Sequence, residues 1–162
     1  MYKREKTELD RIGTWRYPMG KYSYEKNVLI KPTNLTGNTY FSNYIEWQGE
    51  ARESFFLTHP AAKSFLKNYP HLALLTNSLY YRFIEESTFG DRLRIDLTTK
   101  EILDYSLLIV FRYYNSQTEK LIGEGWQKIC FWDNNLNQPA KVPQLFLDLA
   151  ISVREEEKSQ RR

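Results

Sequence analysis

The chain has 162 residues, 41% hydrophobic and 27% charged, which is the size and balance of one globular domain. Two histidines and one cysteine exclude a disulfide scaffold and any cysteine-rich zinc or iron–sulfur site, and a Ser-His-Asp mechanism would have to use His59 or His71. A net charge of +3 is too small to argue for nucleic acid, while the 15% aromatic share must line a core, an interface or a pocket.

The N-terminal segment from Met1 to Arg11 is polar with no apolar stretch behind it, so no targeting segment is expected. The longest apolar run, Leu107 to Phe111, is far short of the roughly 20 residues that cross a bilayer. The expectation is a cytoplasmic protein with no membrane partner. Residues 1–19 read as an extension, 20–153 as one domain, and 154–162 as a charged tail with no apolar residue.

Tyr22, Tyr24, Val28 and Ile30 share one parity, which predicts a strand stopped by Pro32. A long helix follows from about Asn38 to Leu57, and a second, short one from Ala61 to Tyr69, ended by Pro70. From Leu72 the pattern changes to strands. Leu79–Ile84 is β-branched and aromatic, Arg92–Leu97 alternates, and Leu107–Tyr114 and Gly125–Trp132 complete the series. Turn chemistry separates them at Phe89-Gly-Asp91, Asn115–Thr118 and Asp133–Asn135. Strands segregated from one long helix predict an α+β fold with an antiparallel sheet covering that helix.

At 100° per residue the long helix separates into two faces. One holds Tyr40, Phe41, Tyr44, Ile45, Trp47, Ala51, Phe55 and Phe56; the other holds Ser42, Glu46, Gly49, Glu50 and Glu53. Gln48 and Arg52 sit inside the apolar arc, on one stripe with Tyr44. Burying a guanidinium is costly unless it is paired or faces a polar cavity. Arg52 therefore either snorkels or pairs with a structural carboxylate, or it lines a site. The turn before the helix, Pro32-Thr-Asn-Leu-Thr-Gly-Asn38, leads into a helix start whose unpaired N–H groups suit an anion or oxyanion. Asn34 and Thr36 either cap this turn or, for Asn34, face a ligand. His59 and His71 read as loop residues, and Cys130, alternating with Trp126, Lys128 and Trp132, as strand packing.

The segment from Asn34 to Glu53 (NLTGNTYFSNYIEWQGEARE) resembles the opening motif of hotdog-fold thioesterases of the 4-hydroxybenzoyl-CoA type. It is more similar still to the thioesterases of enediyne polyketide biosynthesis, with their Thr-Asn-Leu-x-Gly-Asn-x-Tyr, Asn-Tyr, Trp-Gln-Gly and Arg-Glu elements. Phe89-Gly-Asp-Arg-Leu-Arg94 resembles the family's Gly-Asp strand entry, and the likeness extends over residues 20–150. It implies a single hotdog domain, a long central helix wrapped by a curved antiparallel sheet. It also implies hydrolysis of an acyl thioester, fatty or polyketide, carried on acyl carrier protein or CoA. No cofactor and no metal are implied. In the 4-hydroxybenzoyl-CoA branch an Asp stands where this chain has Asn34, so the carboxylate mechanism is lost. The enediyne branch shares the Asn and implicates an Arg that matches Arg52, with a supporting Tyr that matches Tyr44.

On that resemblance the amides of Gly37, Asn38 and Thr39 are expected to polarise the thioester carbonyl. Asn34 orients the water or the carbonyl, Arg52 stabilises negative charge, Tyr44 holds either of them, and Gln48 contacts substrate. Glu50 and Glu53, on the far face of the helix, are second choices as base. A carboxylate base predicts an acid limb near pH of about 4–6, and an Asn/Arg site predicts a rate that climbs with hydroxide. Tyr40, Phe41, Phe55, Tyr80 and Phe83 are expected to wall an acyl tunnel between helix and sheet, unless they are core. Arg82, Arg92 and Arg94 offer a docking patch for an acidic carrier protein, with a polyketide synthase as a further partner. The family's sites lie between subunits, so a homodimer or dimer of dimers is expected. The alternatives are a non-catalytic acyl-thioester-binding hotdog protein and a dehydratase, whose catalytic His the motif segment lacks.

Overall fold

The computed structural model describes residues 21–58 and 60–147. The expected N-terminal extension, the charged tail and His59 lie outside the described residues. In chain order the elements are β1 (Lys21–Asn27), α1 (Phe41–Thr58), α2 (Pro60–Asn68), β2 (Leu72–Phe83), β3 (Arg92–Ile102), β4 (Ser106–Asn115), β5 (Leu121–Asp133) and β6 (Gln138–Ala140). All pairings are antiparallel, in the order β1-β3-β4-β5-β2, with β6 added to β5. The sheet is open, so β1 and β2 are its edges, and α1 packs on its inner face. This is the expected α+β hotdog arrangement.

Side-chain alternation decides what α1 meets. On β3 and β4 the inner positions are Leu93, Ile95, Leu97, Ile109, Phe111 and Tyr113, all buried. From α1 the sheet receives Tyr44, Trp47, Gln48 and Ala51, the centre of the apolar arc. Tyr40 and Phe41 were placed on that arc by periodicity but are half exposed. They sit at the first turn of α1, where the helix starts and no strand covers them. On β5 the inner positions include Gly125. A Cβ there would collide with the Gln48 amide and the Tyr80 carbonyl, so the glycine lets the one polar side chain of the α1 core lie flat on the sheet.

Several boundaries differ from the sequence reading: β1 ends at Asn27 rather than continuing through Ile30, β3 extends to Ile102, and β5 begins at Leu121. β2 is one 12-residue strand starting at Leu72, with a bulge between Thr76 and Ser78. β6 has three residues and includes Pro139, too short for a periodicity signal. No helix among the described residues is long and apolar enough to cross a membrane.

Candidate active site

The Asn34 turn is built from its own polar atoms. Asn34 Oδ1 accepts from the Thr36 amide (3.0 Å), the Thr36 hydroxyl (2.6 Å) and the Asn38 amide (3.1 Å). The Asn34 amide donates to the Asn38 carbonyl and the Gly37 amide to the Asn34 carbonyl. Gly37 completes the turn at φ 84°, where a side chain is disfavoured. The side-chain oxygen of Asn34 is therefore fully engaged, and what it can offer outward is its Nδ2 group, a donor.

This turn docks on the connection after β2. The Thr39 amide donates to the Ser87 carbonyl, and the Phe89 amide to the Gly37 carbonyl. The Thr39 and Ser87 hydroxyls meet at 2.7 Å, and Ser87 Oγ meets the Tyr44 hydroxyl at 2.8 Å, all three residues buried. The Tyr44 hydroxyl also accepts from the Ser87 amide. Tyr44 was expected to brace Arg52 or Asn34 directly. Its hydroxyl instead joins a buried chain that fixes the turn through Thr39.

The amides of Gly37, Asn38 and Thr39, expected to face the substrate, are all engaged within the protein. The Tyr40 amide donates to the Pro32 carbonyl, and the next donors along the chain are the amides of Phe41 and Ser42. As the first residues of α1 they have no intrahelical acceptor, and none among the described residues. No acidic side chain sits in the first turn of α1, so the positive end of the helix is not neutralised there.

The Tyr44, Gln48, Arg52 stripe runs antiparallel along β2, one helical turn per step. The Tyr44 ring meets Phe83 edge-on at 5.5 Å, and Gln48 Nε2 donates to the Tyr80 carbonyl at 3.3 Å. Arg52 Nη1 donates to Thr76 Oγ1 and to Gln127 Oε1, each at 2.9 Å. Gln48 is fully buried, and its Oε1 has no partner among the described residues. Arg52 has no ion-pair partner among the described residues. Burial pulls its pKa below the ordinary value, with the charge of Glu53 opposing that shift. A guanidinium so placed stays protonated. It is a half-buried positive charge, held by two neutral acceptors beside the edge strand.

The second-choice carboxylates separate clearly. Glu50 Oε2 accepts from Tyr24 and from Lys26 Nζ (2.6 Å), so it ties α1 to β1. Glu53 is exposed on the far face. Burial raises the phenols of Tyr81 and Tyr113, and burial with Glu50 raises Tyr24 to about 12, which keeps all three protonated and unsuited as bases.

Arg82, Arg92 and Arg94, expected as a docking patch, are each paired: with Glu124, with Glu25, and with Asp96 and Glu119 respectively. Of the proposed tunnel wall, Tyr80 lies on the outer face, stacked on Trp126, because its parity is opposite to that of Phe83. Phe55 packs on Tyr22 and Phe56 beside β1. The exposed apolar residues Leu35, Tyr40, Phe41, Phe83 and Ile84 belong instead to the Asn34 turn, the helix start and the end of β2. A cleft of about 910 Å³ opens at the other end of β2, beside Thr76, with Leu75, Tyr105 and Trp132 in its wall. His71 leads into β2, and Cys130 lies on the outer face of β5, paired with Leu75 and in the wall of that cleft.

The model of the thioesterase-like superfamily matches residues 28–149. Among solved structures, the dynemicin thioesterase, described with polyene binding, is 25% identical, with a TM-score of 0.74 over 82% of this chain and 96% of its own. A 1,4-dihydroxy-2-naphthoyl-CoA thioesterase from Synechocystis shares the fold at 19% identity, with the same TM-score and coverage. A Staphylococcus aureus protein in complex with CoA has a TM-score of 0.75 at 12% identity, over 86% of this chain and 87% of its own. No curated protein matches.

Proposed function

The chain belongs to the thioesterase-like superfamily, and we propose that it hydrolyses acyl thioesters carried on CoA or acyl carrier protein in a site shared by two copies of the chain. The observation that carries the two-copy reading is a distance. Asn34 precedes the start of α1 and Arg52 lies 12 residues beyond Tyr40, which is about 18 Å along a helix. A thioester carbonyl and its attacking water span only about 3–3.5 Å, so one protomer does not bring both residues to one carbonyl.

The edge strand supplies a way to bring them together. Arg52 is tied to Thr76 near one end of β2, and the Asn34 turn is docked just past Phe83 at the other. β2 has one free edge and exposes Leu75, Leu79 and Phe83. A long apolar edge of this kind is a template for another strand. Antiparallel pairing of β2 with its own copy about a two-fold axis sets the Phe83 end of one chain beside the Thr76 end of the other. Each Asn34 turn then faces the Arg52 of the partner copy.

In this site Asn34 Nδ2 and the Phe41 and Ser42 amides polarise the carbonyl at the positive end of α1, and Arg52 balances the charge that develops on its oxygen. Tyr44 acts at one remove, by fixing Thr39 and hence the turn. The acyl chain lies against the exposed rings of Tyr40, Phe41 and Phe83. An unsaturated polyketide chain on a carrier protein fits such a wall, and so does a fatty acyl-CoA. Such carriers imply the cytoplasm.

The absence of a carboxylate at position 34 favours a second reading, an acyl-thioester-binding protein without activity. Thiol release separates the two. Incubation with acyl-CoA and acyl-carrier-protein substrates is expected to liberate free thiol and carboxylic acid at a rate proportional to protein. Saturable binding with no thiol above the spontaneous rate would establish the binder instead.

A further inference from the structure

We propose that Glu86 is the general base of this site, an inference that rests on the thioesterase reading above. Glu86 lies in the connection between β2 and β3, and its Oε2 accepts from Asn38 Nδ2 at 2.5 Å. The backbone amide of the same Asn38 donates to Asn34 Oδ1 at 3.1 Å. One residue thus links the Glu86 carboxylate to Asn34 through two direct contacts, although Glu86 and Asn34 are 52 positions apart in the numbering.

The remaining carboxylates near this end have other partners. Glu85 lies 3.8 Å from Lys120, and Asp91 Oδ2 accepts from the Thr88 amide at 2.8 Å. Glu85 and Asp91 are the other charged residues of the connection, Lys120 approaches it through Glu85, and Lys31 is the charged residue of the turn segment that faces it. Only one oxygen of Glu86 is engaged; its Oε1 has no partner among the described residues. The next residue, Ser87, is fully buried and bonded to Thr39 and Tyr44, so the carboxylate adjoins an anchored point of the connection.

The pairing gives the asparagine a physical reason. A carboxylate at position 34 would stand close to Glu86 and repel it, whereas Asn34 keeps the turn and presents a donor. The base has moved across the Asn38 bridge. Glu86 Oε1 takes a proton from water as the water oxygen bonds to the thioester carbon, and the carbonyl electron pair moves to its oxygen. Asn34, the helix amides and Arg52 hold that oxyanion. When the carbonyl re-forms, the C–S bond breaks, its electron pair leaves on sulfur, and the Glu86 proton passes to the thiolate. Acid and thiol are released and the carboxylate is restored.

Glu86→Gln keeps an oxygen for Asn38 but removes the basicity. Its kcat for acyl-CoA hydrolysis is expected to fall about tenfold to a hundredfold with KM unchanged, the low end of general-base effects because a thioester is already activated. The acid limb of the wild-type pH–rate profile is expected to disappear, leaving a rate that climbs with hydroxide. Glu85→Gln should behave as wild type, and formate should restore part of the rate of Glu86→Ala. A hydrolysing wild type whose Glu86→Gln variant keeps its rate and acid limb, or changes only KM, would overturn the base and leave the thioesterase reading intact. A wild type without hydrolysis would overturn both.

Discussion

Replacing Arg52 with alanine is expected to lower kcat/KM for thioester hydrolysis about 10²–10³-fold, the usual cost of removing one stabiliser of a developing oxyanion. The expectation follows from how Arg52 is held. Its partners, Thr76 and Gln127, are neutral, and no carboxylate pairs with it among the described residues. Most buried or half-buried arginines balance an acid; this one forms no ion pair with any carboxylate among the described residues. Thr76 and Gln127 also orient the planar guanidinium, so Arg52→Lys should recover only part of the rate, because an ammonium cannot keep both acceptors and reach the substrate. The rate loss should fall mainly on kcat. Thermal unfolding of Arg52→Ala should change little, since the hydrogen bond to Thr76 is exposed and that to Gln127 only part-buried, a matter of about 1 kcal/mol. An Arg52→Ala protein with full kcat and a clearly lowered Tm would mean that the side chain is structural.

The second large effect is on assembly. Leu79→Lys places a charge on the inner face of the edge strand, at a position 42% exposed in the single chain. Charged residues on edge strands oppose strand addition, so this variant is expected to be monomeric where the wild type is dimeric. Its hydrolysis should fall about as far as that of Arg52→Ala, about 10² or more, because each Asn34 turn then lacks the Arg52 of a partner. The wild type should show the same link on dilution, with specific activity falling in step with dimer content by light scattering or sedimentation. A monomeric Leu79→Lys protein that hydrolyses at the wild-type rate would refute the shared site.

The parts of this molecule legible in the sequence are those fixed by local periodicity. The alternation in β3 and β5 and the apolar arc of α1 needed no knowledge of the rest of the chain, and the misplacement of Gln48 and Arg52 within that arc was visible as a conflict. What escaped depends on partners far along the chain. The amides of Asn38 and Thr39 looked available because Asn34 Oδ1 and the Ser87 carbonyl, which accept from them, are placed by the turn and by the β2–β3 connection. Arg82, Arg92 and Arg94 looked exposed because their acids sit on neighbouring strands or turns. Glu86 carried no local signal at all, since nothing in its own segment points to Asn38. The spacing of Asn34 and Arg52 was legible as well, but in the sequence a second copy was implied only by the resemblance; the distance argument needed the observed length of α1.

The central claim, that Asn34 and Arg52 act on one thioester from different chains, is tested most directly with a purified heterodimer of Asn34→Ala and Arg52→Ala protomers carrying different tags. Pairing leaves one site with both residues and one site with neither. The account predicts thiol release at about half the wild-type rate per dimer, while both homodimers stay low. A heterodimer no more active than the mean of the two homodimers would contradict it.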